Sequence, residues 1–351
     1  MNILADSSLP GLEQAFPKPF KLSLYTEAHE IPNILNNQQI LLCRSTLKVN
    51  KALLDGHSSS LRYVATASSG TDHIDTSYLQ AKEINVIDAK GSNAPAVADY
   101  VIATLAFLEK YKAFRGTRAG IIGLGKVGTM VAKRLNAIGM EILCYDPPKS
   151  ELDSQFHSCS FESLMNCDLL CIHANLHDHQ PYPSRNLLNA ALLSQLKPGS
   201  VIINTSRGGI VDEEALVHLK NAILYCTDVY AKEPQINPKT VAFATLCTPH
   251  IAGHSIEAKY AAITMVSQKL HHLYQLPPPK YLVPAVDQSS ILTANESWQD
   301  TALSLYNPIE ETNHLKGATN LELAFQILRK AHQSRHDFSV YSSSPWFSEN
   351  S

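Results

Sequence analysis

The stretch Gly120-Ile121-Ile122-Gly123-Leu124-Gly125-Lys126-Val127-Gly128 places an apolar strand directly before three glycines spaced G-x-G-x-x-G. A helical pattern follows from Val127 to Ile138, and the next apolar run ends at Asp146, 18 residues beyond Gly128. A glycine turn between a strand and a helix, with an acid closing the next strand, is typical of a dinucleotide-binding site. The alternative is an ordinary strand–helix turn, which the surrounding pattern makes the weaker interpretation.

Each glycine of this turn has a physical task. Gly123 permits the tight turn, Gly125 lets backbone amides approach a pyrophosphate, and Gly128 lets the helix pack closely on its strand. The helix N-terminus presents free N–H groups and the positive end of its dipole to that anion. The sequence therefore predicts cofactor contacts at Gly123, Gly125, Lys126, Val127 and Gly128.

Asp146 stands where the acid of such a pattern meets the adenosine ribose. Its carboxylate can accept hydrogen bonds from the ribose hydroxyls and would repel a 2′-phosphate, which favours NAD over NADP. Lys149 lies close enough along the chain to keep NADP open as an alternative.

Apolar runs alternate with helical patterns along most of the chain, which indicates parallel α/β sheets. A first alternation covers residues 1 to about 92, and a second, denser one follows the long amphipathic helix from Ala94 to Tyr111. The predicted fold class is therefore α/β, with two doubly wound parallel-sheet domains and a small α+β C-terminal domain. Their predicted bounds are 1–93 with 255–285 for a flavodoxin-like domain, 94–254 for a Rossmann domain, and 286–351 for the C-terminal domain.

The bulk composition narrows the class of protein. The chain has 351 residues, 44% of them hydrophobic and 17% charged, a normal globular balance for two or three domains. A formal net charge of −3 gives no overall positive field, so we expect neither nucleic acid nor a membrane as a partner. The apolar run from Ala96 to Leu108 contains Asp99 and is too short to span a bilayer.

The seven cysteines are scattered without the spacing of a disulfide framework, which favours a reducing cytoplasm. Cys167, Cys171 and His173 could indicate a metal site. However, residues 168–173 have the pattern of a buried strand, whose alternation points neighbouring side chains to opposite faces. We therefore expect no metal there.

Three polar motifs each follow a predicted strand of the second domain, where open α/β sheets place their ligands. They are Asn204-Thr205-Ser206-Arg207-Gly208-Gly209, Asp228-Val229-Tyr230-Ala231-Lys232-Glu233-Pro234 and Thr248-Pro249-His250-Ile251-Ala252-Gly253. Taken singly, Arg207, Glu233 and His250 would more often be a surface arginine, a capping glutamate and a core histidine. Because the three motifs occur in this order along one chain, we interpret the three residues together as parts of one site.

With the glycine turn and Gly70-Thr71-Asp72-His73-Ile74-Asp75, these motifs resemble the D-isomer-specific 2-hydroxyacid dehydrogenase family over residues 1 to about 275. The resemblance implies two domains of similar topology with the active site in the cleft between them. It implies that His250 is the acid/base on the substrate hydroxyl, that Glu233 pairs with His250, and that Arg207 binds the substrate carboxylate.

Those roles also make chemical sense. Oxidising an alcohol needs a base for the hydroxyl proton while the hydride leaves from carbon, and histidine titrates near working pH. A nearby carboxylate orients the imidazole and stabilises its cation. A guanidinium fork suits a carboxylate better than an ammonium does.

The resemblance assigns further cofactor contacts along the same strand ends. Asp228 corresponds to a contact on the nicotinamide side, and Asn175 lies just past a strand, where a plain turn residue is an alternative. The remaining predicted cofactor contacts are Thr205, Ser206, Arg207 and Gly253.

Segments of the first domain resemble a branch of the family that oxidises 4-phospho-D-erythronate, a phosphorylated 2-hydroxy acid, in pyridoxine (vitamin B6) synthesis. They are residues 42–49, 65–73 and 91–94. Arg44 and Ser45 would form a phosphate-binding patch, with a surface ion pair as the alternative for Arg44. Lys48 could extend the patch, but an ordinary surface lysine is the favoured interpretation. Thr66 and Gly70 would meet the substrate, or would only end a strand and form a turn. His254 stands where this branch usually has a tyrosine substrate contact, and Asp99 replaces a usual glutamate.

The tail segment from Phe325 to Arg335 resembles the C-terminal dimerisation segment of the same branch, so the resemblance also implies a homodimer. Two other functions stay open. One is a sister dehydrogenase acting on glycerate, 3-phosphoglycerate or lactate. The other is an NAD(H)-sensing, corepressor-like binding protein, against which the complete set of Arg207, Glu233 and His250 argues.

Overall fold

The computed structural model describes residues 1–57, 59–220, 222–280 and 297–341. The chain divides into two compact units, each with its own sheet. The first contains residues 1–93 and the segment that starts at Ser255, and the second contains residues 94–254 and the described C-terminal residues 297–341. The prediction of two parallel α/β domains is confirmed.

The sheet of the first unit has five parallel strands in the order β2-β1-β3-β4-β5. Its strands are β1 (Asn2–Asp6), β2 (Lys21–Tyr25), β3 (Ile40–Cys43), β4 (Tyr63–Thr66) and β5 (Asn85–Ile87). Its first helices are α1 (Leu12–Ala15), α2 (Ile31–Ile34), α3 (Lys51–Leu54) and α4 (Thr76–Ala81), with a 3-10 turn at Ala28–Glu30. This strand order is the flavodoxin-like one.

The sheet of the second unit has six parallel strands, and the chain enters it through the long helix α5 (Ala94–Tyr111). The strands are β6 (Arg118–Ile122), β7 (Glu141–Tyr145), β8 (Leu169–Ile172), β9 (Val201–Asn204), β10 (Leu224–Thr227) and β11 (Leu246–Cys247). The helices between them are α6 (Lys126–Ala137), α7 (Pro147–Leu152), α8 (Phe161–Met165), α9 (Ala190–Leu193), α10 (Glu213–Val217) and α11 (Pro238–Phe243). The strand order is β7-β6-β8-β9-β10-β11.

Helix α12 (Ile256–Leu273) returns the chain to the first unit. Its apolar face, including Ile263, Val266 and Leu270, is fully buried in one of that unit's two hydrophobic clusters. Strands β1, β3 and β4 contribute to both clusters because parallel strands covered on both faces are apolar throughout.

Both sheets have a topological switch point, where the chain crosses from one side of a strand to the other. In the first unit it lies between β1 and β3, and in the second between β6 and β8. Open α/β sheets bind ligands outside the carboxyl ends of the strands at such points. The Arg44 segment follows β3, and the glycine turn follows β6, so both predicted binding segments lie at a switch point.

The described C-terminal residues are helical and contain no strand. They form α13 (Trp298–Leu305), α14 (Ile309–Gly317), α15 (Leu321–Ala331) and a 3-10 turn at Phe338–Val340. Ala302 and Phe338 join the hydrophobic cluster around α5, whereas Leu315 and Phe325 join the cluster on the other face of the second sheet. The strands expected of an α+β domain are therefore absent from residues 297–341. A separate C-terminal domain with the bounds 286–351 stays a prediction.

Across the described ranges, no helix is long and apolar enough to cross a membrane, and no three His, Cys, Asp or Glu side chains are placed to hold a metal ion. Burial raises the pKa of the Cys167 thiol to about 11 and raises that of Cys171 further. Burial also lowers the pKa of the His173 imidazole to about 3. Cys171 lies within the interior strand β8, and Cys167 and His173 lie just before and just after it, where burial keeps all three side chains neutral.

Candidate active site

The glycine turn between β6 and α6 has the geometry that a dinucleotide requires. Gly123 has a φ of 88°, and a Cβ there would lie 2.5 Å from the backbone nitrogen of Ala174. A Cβ at Gly128 would lie 2.0 Å from the carbonyl oxygen of Gly123. At Gly125, in contrast, a Cβ would meet nothing within 4 Å, and no side chain caps the start of α6. The turn therefore leaves open space at Gly125, at the start of α6, where a pyrophosphate could meet the helix N-terminus.

Asp146 directly follows β7 beside that turn, and both of its carboxylate oxygens accept backbone N–H groups. Oδ2 accepts from Leu124 at 2.7 Å, and Oδ1 accepts from Lys149 at 3.1 Å. The Lys149 ammonium donates to the Leu124 carbonyl at 3.4 Å and lies 5.1 Å from the centroid of the Phe156 ring. The structure thus holds Asp146 at the turn, as the ribose contact requires.

The loops after β8 and β9 meet on the same side of the switch point. The Thr205 hydroxyl lies 3.2 Å from His173 Nδ1, and the Ser206 hydroxyl donates to the Ala174 carbonyl. Asn175 is exposed just past β8. The predicted cofactor residues Asn175, Thr205 and Ser206 therefore lie beside the strand ends that flank the glycine turn.

Glu233 and His250, predicted as a pair, are in direct contact. Glu233 Oε2 lies 2.7 Å from His250 Nδ1, and Glu233 Oε1 accepts the Tyr230 N–H at 3.0 Å. Burial opposes ionisation of Glu233, but His250, the Tyr230 N–H and the Arg329 guanidinium together hold the pKa of Glu233 below its usual value. Because the imidazole is held through Nδ1, its Nε2 is the nitrogen left to exchange a proton with a substrate.

The backbone at His250 is strained, and Asp228 secures it. His250 has a φ of 58°, the left-handed region that non-glycine residues seldom adopt. The buried Asp228 carboxylate accepts the N–H groups of Ile251 and Ala252, both at 2.8 Å, and the Thr248 hydroxyl at 2.6 Å. Strain of this kind persists where the surroundings fix it and is common at functional sites. Asp228 thus positions the His250 loop, and its predicted cofactor contact is untested.

The segment carrying Arg207 packs against the Glu233 motif. A Cβ at Gly208 would lie 1.8 Å from the carbonyl carbon of Tyr230, so only glycine permits this approach. Arg207 is half-buried, and its Nη1 donates to the Ser206 carbonyl at 2.8 Å. The three predicted catalytic residues therefore follow β9, β10 and β11 of one sheet. Contact of Arg207 with a substrate carboxylate remains a prediction.

The predicted phosphate patch lies at the switch point of the first unit. Arg44 Nε donates to Asp6 Oδ2 at 2.8 Å, so the ion-pair alternative for Arg44 is realised, although its partner is the buried end of β1. The Arg44 side chain remains 44% exposed, and Ser45 beside it is exposed. A guanidinium has donors beyond Nε, so the ion pair does not prevent anion binding.

Thr66 ends β4 and is fully buried. Its hydroxyl lies 2.8 Å from the Ser68 hydroxyl and 3.0 Å from His73 Nε2. His73 was not among the predicted site residues, although it belongs to the motif from Gly70 to Asp75 that carries the resemblance. Gly70 itself is half-exposed. The substrate contacts of Thr66 and Gly70 stay predictions.

His254 follows Gly253 and is surrounded by cationic groups that the sequence did not associate with it. Burial, and then Arg329 and the neighbouring histidines, lower the pKa of His254 well below its usual value. The ring of His254 lies 6.4 Å from that of His332, and its Nδ1 has no hydrogen-bond partner within the described residues. Arg329 and His332 come from the C-terminal region, whose closeness to His254 no local motif indicates.

Comparison with known proteins places this site in a family. Residues 106–252 match the model of the D-isomer specific 2-hydroxyacid dehydrogenase, NAD binding domain. The chain is 57% identical over 341 residues to a Legionella pneumophila protein named erythronate-4-phosphate dehydrogenase, covering 97% of this chain and 96% of that one. A protein of the same name from Coxiella burnetii is 33% identical, covering 98% and 95%.

Solved structures share the fold. The NAD⁺-bound 3-phosphoglycerate dehydrogenase of Entamoeba histolytica matches with a TM-score of 0.66 and 22% identity, covering 80% of this chain and 99% of that one. The NAD complex of Staphylococcus aureus formate dehydrogenase matches with a TM-score of 0.63 and 21% identity, covering 78% and 96%. The glycine turn, the Glu233–His250 pair and the whole-length relatives agree: the chain belongs to the D-isomer specific 2-hydroxyacid dehydrogenase family.

Proposed function

We propose that this chain is an NAD-dependent dehydrogenase that oxidises 4-phospho-D-erythronate to (R)-3-hydroxy-2-oxo-4-phosphooxybutanoate, a step of pyridoxine 5′-phosphate synthesis. The observation that carries the chemistry is the Glu233–His250 pair, held at 2.7 Å at the strand ends of the unit that contains the glycine turn. The substrate follows the name of relatives that match almost the whole chain.

The residues divide the reaction between proton and hydride. His250 Nε2 removes the proton of the C2 hydroxyl, and Glu233 stabilises the imidazolium that results. Bound NAD would supply the acceptor for the hydride that leaves C2. Backbone amides at Gly125 and the start of α6 would hold its pyrophosphate, and Asp146 its ribose. Arg207 binds the carboxylate and polarises the C2 oxygen, which favours departure of the hydride.

The substrate has a second anionic end, and the first unit offers donors for it. The Arg44 side chain is partly exposed and stands beside exposed Ser45 at the switch point. A phosphate prefers guanidinium and hydroxyl donors of this kind. Asp6 offsets part of the charge of Arg44, so we expect the patch to orient the phosphate rather than to supply most of the affinity.

An NADH-linked assay with 4-phospho-D-erythronate, beside glycerate, lactate and 3-phosphoglycerate, tests the proposal. We expect the highest kcat/KM for 4-phospho-D-erythronate. A higher value for another of these acids would indicate a sister dehydrogenase. A chain that binds NADH and oxidises none of these acids would be a binding protein of the corepressor kind.

Replacing Arg44 with Ala is expected to raise KM for the phosphorylated acid roughly tenfold, because one charge-assisted hydrogen bond is worth about 1.5 kcal/mol or more. KM for glycerate, which has no phosphate, should change little. Lys48, exposed four residues further on, provides the matched control through Lys48→Ala. Equal increases of KM for both acids would refute a phosphate role for Arg44.

A second copy of the chain is the proposed partner, and the cytoplasm the proposed location. Helix α15 exposes Leu323 and Ile327, four residues apart on one face, at 51% and 56%. All seven cysteines are free, as a reducing compartment requires.

Replacing Ile327 with Asp should shift the sedimentation coefficient from that of a dimer to that of a monomer. An unchanged coefficient would show that this face of α15 is not a dimer contact.

A further inference from the structure

Helix α15 lies along the segment that carries Glu233 and contacts it at three places. The Phe325 ring packs edge-on against Tyr230 with 6.0 Å between centroids, and Gln235 Nε2 donates to Glu322 Oε1 at 2.7 Å. At the C-terminal end of the helix, Arg329 Nη1 lies 3.8 Å from Glu233 Oε2. The helix is therefore held at both ends of the Glu233 segment, and this fixes where Arg329 stands.

Arg329 and His250 approach the same carboxylate oxygen. His250 Nδ1 lies 2.7 Å from Glu233 Oε2, the atom that Arg329 Nη1 faces. The Arg329 side chain is only 26% exposed, and that of Glu233 only 21%, so solvent screens their attraction less than it would between surface charges. One partly buried carboxylate thus divides its charge between an imidazole and a guanidinium.

We propose that Arg329, on the C-terminal helix, is a positioning residue for the reaction: its guanidinium fixes the Glu233 carboxylate and moderates the negative charge that His250 experiences. This inference rests on the proposed function. Glu233 alone would stabilise the imidazolium strongly and leave less of the neutral base that hydroxy-acid oxidation needs. With Arg329 beside it, the same carboxylate orients the imidazole while favouring its cation less.

Three further titratable groups lie near the pair, and none takes the place of Arg329. Asp228 at the end of β10 interacts with His250 but is occupied by the N–H groups of its own loop. Glu213 on α10 adds negative charge near Glu233, and it accepts the Ala231 N–H and the Thr240 hydroxyl. His254 is kept neutral by burial. Arg329 is the cation of this group that lies within ion-pair distance of Glu233 in the described chain.

The inference predicts opposite effects of Arg329→Met in the two reaction directions. For hydroxy-acid oxidation, which needs neutral His250, the acid limb of the kcat/KM profile should move up by roughly half a pH unit, with a loss of about threefold on that limb. For 2-oxo-acid reduction, which needs protonated His250, the basic limb should move up by a similar amount. Activity there should be retained or increased at high pH.

Two matched variants distinguish the effect of the cation at position 329 from a general loss of positive charge and from a folding defect. Arg329→Lys keeps a cation and should restore the wild-type limb at least in part. Lys330→Met removes the same charge from an exposed neighbour on the same helix turn and should leave both profiles unchanged. A uniform loss at every pH in both directions, or limbs that do not move, would overturn the inference.

An NMR titration keeps this inference distinct from the proposed function. The His250 signal among the 15 histidines can be assigned by its absence in His250→Asn. Its titration midpoint in Arg329→Met should lie above that of the wild type, whichever acid the enzyme oxidises and even if it oxidises none. An unchanged midpoint would overturn the role of Arg329 while leaving the proposed dehydrogenase activity untouched.

Discussion

Replacing His250 with Asn should lower kcat for hydroxy-acid oxidation by about 10²–10⁴-fold, the usual contribution of a positioned general base. The reason is chemical: the C2 hydroxyl then loses its proton without a base while the hydride departs. Asn suits the site because it tolerates the positive φ that the structure shows at this position. Steady-state rates in both directions measure the effect, and the affinity for NADH, which depends on the glycine turn, should change little.

The control for this variant is His29→Asn, which makes the same substitution at an exposed position in the first unit. We expect it to retain wild-type rates. If His250→Asn kept a tenth or more of the wild-type kcat, another group would have to accept the proton, and the assignment of His250 would be wrong. Solvent-isotope effects on the residual rate would then help to identify that group.

Much of the fold follows from local apolar patterns. Continuous apolar runs predict β3 and β8, and the amphipathic pattern from Ala94 to Tyr111 coincides with α5. No continuous apolar run indicates β2 (Lys21–Tyr25), because this edge strand is only partly buried and has polar residues within it. The strand expected before the Thr248 motif is present as β11, but it is only two residues long, too short to give a periodicity of its own. The signal is strong where a strand is covered on both faces and weak where it is short or at an edge.

The candidate site shows the same division between local and long-range information. Strand-end motifs identify Glu233 and His250 because the carboxyl ends of parallel strands meet at one edge of a sheet. The role of Asp228 as acceptor for the His250 loop depends on distances that the motif does not state. The position of Arg329 is harder still to predict from the sequence, because its approach to Glu233 depends on how a C-terminal helix packs on the second sheet. Tertiary packing, and not residue type, selects it from the basic residues of that helix.

The C-terminal region also makes hydrogen bonds and ring contacts that connect other parts of the second unit. The Phe338 N–H donates to Asp99 Oδ2 at 2.8 Å, and Arg335 donates to the carbonyls of Ala96 and Ala252 while its guanidinium lies 4.8 Å from the centroid of Tyr306. Ala252 belongs to the loop that Asp228 holds. The end of the described chain therefore links α5 to the loop that carries His250.

Asp99 is the centre of that link, and Asp99→Asn should lower the free energy of unfolding by about 3–5 kcal/mol. Its carboxylate pairs with the Arg134 guanidinium on α6, and both side chains are at most 1% exposed. Asn keeps an acceptor for Phe338 but leaves the guanidinium in the core without its counter-charge, which is costly. Chemical denaturation followed by circular dichroism measures the change.

Two comparisons show whether the loss comes from an uncompensated buried charge. Removing both members with Asp99→Leu and Arg134→Met should recover most of the lost stability, because an apolar pair leaves no charge in the core. Breaking an exposed pair with Asp178→Asn, which removes the partner of Arg185, should cost no more than about 1 kcal/mol. If Asp99→Asn were as mild as Asp178→Asn, the Arg134 cation would have to be stabilised by other groups, and the link from the C-terminal segment through Asp99 would contribute little to stability.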